Sequence, residues 1–223
     1  MTMKIEAVLF DMDGLVLDTE KLYTRFWVEA ANALGYPMTV KQGLGMRSLN
    51  RTYGAAKLKS YFGEDVDYDQ VRNKRIELMD AFVEKEGVYL KKGINELLIY
   101  LKDNNIKTAI ATSSPIERTI KYLSSVNMDK RFDELVSGYM VEKGKPEPDI
   151  YLYAAKKLGV NPENCMVLED SPAGILSGYK AGCIPVIVPD QDEPDEETMN
   201  RIFAKAKDLI DVIDIIEKIN KGI

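Results

Sequence analysis

Ile5-Glu6-Ala7-Val8-Leu9-Phe10-Asp11-Met12-Asp13-Gly14 is an apolar run that ends abruptly in two aspartates and a glycine. A continuous apolar run of this length suits a strand buried on both faces. Four more runs read the same way: Lys107–Ala111, Glu134–Val136, Met166–Leu168 and Ile184–Val188. Helical patterns alternate with them. Ile94, Leu97, Leu98 and Leu101 recur at helical spacing, with a stop at Asn104-Asn105. Ser114-Pro115-Ile116-Glu117 predicts a capping box ahead of an apolar face of Ile116, Ile120 and Leu123. Asp149 is a candidate cap for a helix bearing Ile150, Tyr153, Ala154 and Leu158, closed by Gly159, and Ser171-Pro172 opens another running towards Gly182.

This β-α alternation predicts an α/β fold with a doubly wound, mostly parallel sheet. The segment Leu17–Gly87 differs, because no strand pattern interrupts it. Leu22, Phe26, Ala30 and Leu34 form one helical stripe closed by Gly35 and Pro37. Arg47–Phe62 and Tyr68–Glu86 are also helical in pattern. The expected organisation is an α/β core from residues 1–16 and 88–223, with an all-helical insert over 17–87. The acidic stretch Asp190–Glu197 reads as a solvated loop and helix start.

The 223 residues are 45% hydrophobic and 30% charged, as in soluble globular proteins. A net charge of −6 and a pI near 5.0 argue against nucleic-acid binding and against docking on an anionic membrane. No run approaches the roughly 20 apolar residues of a membrane span, and the N-terminal residues lack a signal-peptide layout. Cys165 and Cys183 adjoin apolar runs and read as buried, reduced thiols, so a cytoplasmic location is expected. The chain has no histidine. Histidine metal sites, Ser-His-Asp triads and histidine acid–base chemistry are therefore excluded.

Ligands of doubly wound sheets bind where strands end at their carboxyl edge. Asp11 and Asp13 stand there, with Gly14 allowing a sharp turn. One carboxylate can act as nucleophile and the other can move a proton. A calcium loop of the EF-hand type is ruled out, because its fifth and twelfth positions would be Leu15 and Leu22. Glu169-Asp170 follows another predicted core strand. Two acidic clusters at one edge repel unless a cation lies between them, and oxygen donors favour Mg²⁺. Lys145, in Gly144-Lys145-Pro146-Glu147-Pro148-Asp149, could neutralise a phosphate together with the nucleophile. Thr112-Ser113-Ser114 follows the strand Lys107–Ala111 and offers hydroxyls and backbone N–H groups to phosphate oxygens, with Ser114 better suited to capping the helix.

In this order the motifs resemble those of the haloacid-dehalogenase superfamily, in the branch of β-phosphoglucomutase and small-molecule phosphatases. The resemblance covers nearly the whole chain. The family's DxDGxxxDT motif reads Asp11-Met12-Asp13-Gly14-Leu15-Val16-Leu17-Asp18-Thr19. Thr112, Lys145 and Glu169-Asp170 match the next three motifs, and the helical insert stands where the family carries its cap. The resemblance implies a Rossmann-like core and an aspartyl phosphate on Asp11, with Asp13 as acid and base. It implies Mg²⁺ held by Asp11, the backbone carbonyl of Asp13, and Asp170, with Glu169 binding directly or through water. Phosphoryl oxygens would be bound by Thr112 and Lys145; Gly14 and Ser113 complete the expected substrate site.

An aspartate at position 13 excludes the dehalogenases, whose halide leaves without a proton. Mutases of the β-phosphoglucomutase type carry a histidine where this chain has Tyr23. Asp18-Thr19-Glu20 instead resembles the phosphatases. The expectation is a Mg²⁺-dependent phosphatase acting on a small phosphorylated metabolite such as a sugar phosphate. Hexose phosphomutase and a catalytically silent binding module are the alternatives. Gly43-Leu44-Gly45-Met46-Arg47 is a candidate specificity loop, with Arg47 as a possible substrate clamp. Ser48 stands where a dinucleotide fingerprint needs its third glycine. No coiled-coil heptads occur, so a monomer is expected.

Overall fold

A computed structural model describes residues 4–46, 49, 51–191 and 193–222. In chain order its elements are β1 (Ala7–Phe10), α1 (Glu20–Ala33), α2 (Val40–Leu44), α3 (Arg51–Phe62), α4 (Tyr68–Glu86), α5 (Ile94–Asp103), β2 (Lys107–Thr112), α6 (Ile116–Ser125), β3 (Glu134–Ser137), α7 (Asp149–Leu158), β4 (Cys165–Glu169), α8 (Pro172–Lys180), β5 (Ile184–Ile187), α9 (Glu196–Met199), β6 (Ala204–Lys205) and α10 (Asp211–Lys221). The chain divides into two compact units, Met1–Leu17 with Tyr89–Ile223, and Asp18–Val88.

The first unit holds a six-stranded sheet in the order β3-β2-β1-β4-β5-β6, with every neighbouring pair parallel. The fold is thus the expected doubly wound α/β arrangement. From central β1 the chain winds outwards through β2 and β3, then returns to lay β4 on the other flank of β1. The winding reverses between β1 and β4, where the carboxyl ends of a doubly wound sheet leave a crevice.

All four β1 residues are fully buried, as expected for a strand covered on both faces. Alternation assigns Ala7 and Leu9 to one face and Val8 and Phe10 to the other. Ala7 and Leu9 cluster with Ala109, Ala111, Cys165 and Val167, and with Ile150, Tyr151, Ala154, Ala155 and Leu158 of α7. On the opposite face Phe10 meets Phe132 edge-on at 5.5 Å between ring centroids. Carried one step further, the same alternation brings Asp11 and Glu169 onto the face that α7 covers.

Several helix details depart from the sequence expectations. The cap position of α7 belongs to Pro148; Asp149 is its first helical residue, and its carboxylate accepts the Lys143 backbone N–H at 3.2 Å. Tyr151, rather than Tyr153, is fully buried on that helix. No side chain caps α6, which starts after Pro115 and buries Thr119, Tyr122 and Leu123, leaving Ile120 exposed. Ser171 does cap α8, accepting from Gly174 N at 3.1 Å with Pro172 in the first turn. Asp190 is not solvated: its side chain is buried and paired with Lys91. Asp195 caps α9 by accepting from Thr198 N at 2.8 Å. Cys165 and Cys183 are free and buried, and burial pushes the Cys165 thiol up to about 12.

Among the described residues of the second unit, every regular element is a helix. Its core joins Trp27, Ala30 and Ala31 of α1 to Met38, Met46, Leu58, Val66, Tyr68 and Val71. Arg75 is buried, with its guanidinium 4.8 Å from the Tyr23 ring centroid and 5.1 Å from that of Trp27. Part of the candidate specificity loop is helix instead: Gly43 and Leu44 end α2, and Gly45 is its C-cap. Gly43 is buried because α2 packs close to α1; an added Cβ would lie 2.7 Å from Val28 Cγ2. Arg47 and Ser48 lie outside the described residues.

Gly93, at the start of α5, has φ +90°, and a Cβ there would stand 2.7 Å from the Ile210 backbone nitrogen. A left-handed alanine costs about 1–2 kcal/mol before any clash is counted. Gly93→Ala should therefore lose at least about 2 kcal/mol of unfolding stability in a urea titration. An unchanged midpoint and slope would show that neither the left-handed backbone nor the Ile210 approach constrains this position.

Candidate active site

The turn after β1 is fixed by its own backbone. Asp11 N donates to Leu168 O at 3.0 Å, so the β1–β4 pairing continues one residue past the strand. Val16 N and Leu17 N both donate to Met12 O at 3.0 Å, and Gly14 N donates to Leu17 O at 2.9 Å. The reversal needs φ +84° at Gly14, a conformation that glycine adopts without steric cost. Met12 is fully buried and anchors the turn between the two aspartates.

Lys145 reaches the same point from 134 residues further along the chain. Its Nζ donates to Asp11 Oδ1 at 2.5 Å, Glu169 Oε1 at 2.6 Å and Ala111 O at 2.9 Å. These three bonds match its three N–H groups. The Lys145 side chain is 7% exposed and that of Glu169 1%, so the pairs are shielded from water. The loop behind Lys145 is tied down as well. Glu147 N donates to Gly144 O, Ser177 Oγ of α8 donates to Glu147 O at 2.6 Å, and Lys180 pairs with the Glu147 carboxylate at 2.9 Å. The Lys145–Pro146 peptide is cis.

Both Glu169 oxygens are engaged. Oε1 also accepts from Tyr151 OH at 2.6 Å, and Oε2 accepts from Ser171 Oγ at 3.0 Å and Ser171 N at 3.4 Å. Gly174 makes room for this carboxylate: a Cβ there would fall 1.8 Å from Glu169 Cδ. Burial pushes the Asp11 carboxyl up to about 7; Lys145 pulls it down, while Glu169 and Asp13 push it further up. Burial alone would lower the Lys145 ammonium, but Asp11 and Glu169 outweigh it and leave it raised.

Beside this cluster, Ser114 Oγ donates to Asp13 Oδ2 at 3.2 Å. Ser114 thus touches the second aspartate of the turn and does not cap α6. Its backbone N donates to Thr112 Oγ1 at 3.1 Å, and its carbonyl accepts from Ser137 Oγ at 2.7 Å. Thr112 is buried and Ser113 exposed. Asp11, Glu169 and Asp170 each bring a carboxylate oxygen within 4.8 Å of the others. Three carboxylates against one ammonium leave an excess of negative charge, and hard oxygen donors at this spacing can hold a metal ion.

Asp11, Lys145, Glu169 and Asp170 are therefore gathered at one edge of the sheet, with Asp13 and Thr112 joined there through Ser114. Sequence reasoning did not single out Tyr151 or the bonds of Ser171 to Glu169. A tyrosine on an apolar helix face looks like core, and a serine before proline looks like a cap.

A family model described as haloacid dehalogenase-like hydrolase matches residues 5–182. A phosphorylated carbohydrates phosphatase of Thermotoga maritima is 34% identical over 178 residues, covering 80% of this chain and 82% of that protein. A β-phosphoglucomutase of Bacillus subtilis is 30% identical over 190 residues, covering 82% of each. The crystal structure of a β-phosphoglucomutase from Clostridium difficile shares the fold at a TM-score of 0.80, with 24% identity and 98% of each chain covered. With the family match spanning most of the chain, and with relatives of 30% identity or more over four-fifths of it, this chain belongs to the haloacid dehalogenase-like hydrolases.

Proposed function

We propose that the chain is a Mg²⁺-dependent phosphatase that moves the phosphoryl group of a small phosphomonoester, a sugar phosphate or related metabolite, first to Asp11 and then to water. The observation that carries this reading is Asp11 itself. It is a buried carboxylate at the winding reversal, bonded to a buried ammonium and flanked by Glu169, Asp170 and Asp13. Phosphoryl transfer asks mainly for positioning and charge neutralisation, and this cluster offers both. The relative named a phosphorylated carbohydrates phosphatase supports the substrate class.

In this reading an Asp11 oxygen attacks phosphorus and the ester oxygen departs. Asp13, held by the Ser114 hydroxyl, gives that oxygen a proton. Asp13 then takes a proton from the water that attacks the aspartyl phosphate, and so returns to its starting state. One water enters; one alcohol and one phosphate leave. As the attacking oxygen loses charge, Lys145 can share its proton with a phosphoryl oxygen. Thr112 Oγ1 already accepts from Ser114 N, so its own proton points elsewhere and can serve the same group. Ser113 and the backbone at Gly14 complete the proposed substrate contacts. Asp11, Asp170 and the Asp13 carbonyl would hold Mg²⁺, and Glu169, with both oxygens engaged, would contribute through water. The ion would offset the carboxylate charge and that of the phosphoryl oxygens. The helical unit would act as a substrate-selecting cap, inserted at 17–87 in a catalytic core of residues 1–16 and 88–223.

The β-phosphoglucomutase relative keeps hexose phosphomutase as the second reading. Against it stands Tyr23, whose ring lies against the Arg75 guanidinium in place of the histidine that such mutases carry. Wild-type protein should release phosphate from an aryl phosphate and from a sugar-phosphate panel only with Mg²⁺, and Asp11→Asn should reduce this to background. Equal rates for the two proteins would reject the enzyme reading. Conversion of β-glucose 1-phosphate to glucose 6-phosphate, primed by a bisphosphate and faster than hydrolysis, would favour the mutase.

Proton and metal should also compete on Asp11. Its folded pKa of about 7 lies above the ordinary 3.8, so its contribution to stability is full below about pH 4 and is lost as pH rises through 7. Mg²⁺ needs the ionised form. Adding it to chelator-treated protein should raise the melting temperature more at pH 8 than at pH 5. An equal rise at both would place the ion elsewhere.

A further inference from the structure

Tyr151 is fully buried on α7, where a phenylalanine would fill the same space. Its hydroxyl needs a partner there, and it takes Glu169 Oε1 at 2.6 Å. The same oxygen accepts from Lys145 Nζ at 2.6 Å, and Nζ lies 5.1 Å from the centre of the Tyr151 ring. Tyr151 therefore touches both members of the buried ion pair: it bonds to the anion and presents an aromatic ring to the cation. Ser171 holds the other Glu169 oxygen. Between Tyr151 and Ser171 the carboxylate is fixed at both ends, and the position of Oε1 sets where the ammonium stands relative to Asp11.

We propose that Tyr151 is a positioning residue of this site, fixing Glu169 and through it the Lys145 ammonium on Asp11. The inference deepens the phosphatase reading and rests on it for its kinetic consequence. The geometric part stands on the network alone. Tyr151 does not touch the reacting atoms; it narrows the placements open to a charged group that does.

Tyr151→Phe keeps the ring and removes only the hydroxyl. With wild-type protein saturated in Mg²⁺, the variant should lose roughly tenfold in kcat on a sugar phosphate, with KM within about twofold. Tyr153→Phe, two residues along α7 and outside the network, should match wild type. A lowered melting temperature with unchanged kcat would make Tyr151 a packing residue and overturn the inference. A readout independent of turnover is the side-chain ammonium signal of Lys145 in ¹⁵N-lysine protein, assigned through its loss in Lys145→Arg. In Tyr151→Phe this signal should shift and exchange faster with water; an unchanged signal overturns the inference. Should wild type release no phosphate, the functional reading fails, and the ammonium signal still decides the role of Tyr151.

Discussion

A lysine ammonium held out of water between two carboxylates is an expensive arrangement unless its geometry is nearly complete. Moving either charge into the interior costs several kcal/mol, and removing one partner of such a pair typically costs about 3–5 kcal/mol. Lys145 meets that demand with an acceptor for each of its three protons, drawn from the ends of β1, β2 and β4. These three strands are neighbours in space but lie far apart in the chain. The ion pair thus forms only when the sheet has assembled in the observed order, and the order in turn delivers the acceptors. This mutual dependence links the fold to the site.

The same geometry explains why the site is charged in excess. Parallel strands all point their carboxyl ends to one edge, so residues that follow β1 and β4 arrive side by side. Asp11 and Glu169 are brought together in this way, and Asp170 and Asp13 follow within one or two residues. A single ammonium cannot balance them. Burial is the main cause of the raised Asp11 carboxyl; Lys145 opposes it, and Glu169 and Asp13 add to it. A proton on Asp11, or a cation among the oxygens, would ease the excess of negative charge. The acidity of this edge thus suits it to hold a metal ion as well as a proton.

Much of this was legible in the residues. Short apolar runs ending in acidic or hydroxyl residues marked β1, β2 and β4 and their functional ends, because strands buried on both faces leave little ambiguity in pattern. Lys145, the lysine before Pro146, was legible as well. Ser114 was not: Ser-Pro-x-Glu satisfies the local rule for a helix start, and only the tertiary approach of Asp13 draws its hydroxyl away. Asp190 failed for a similar reason, since an aspartate in an acidic run reads as solvated until Lys91, 99 residues distant, pairs with it. In the helical unit the glycines around position 44 suggested a loop. Gly43 is instead a gap for helix packing, and sequence alone does not distinguish a glycine needed for a turn from one needed for closeness.

A division of labour among the carboxylates follows from their partners. Glu169 is bonded at both oxygens by Lys145, Tyr151 and Ser171, and Gly174 leaves it room with no side chain of its own. It is built into the interior as a fixed anion. Asp13 and Asp170 are only half-buried, within reach of a ligand. Asp11 lies between these conditions, buried like Glu169 but held by one lysine bond. Carboxylates in water ordinarily titrate far below neutrality. Burial, with Glu169 and Asp13 close by, raises the proton affinity of Asp11 against the pull of Lys145. The buried anion at Glu169 adds to that field and also gives the Lys145 ammonium an acceptor, so one costly group both raises Asp11 and anchors the cation that restrains it.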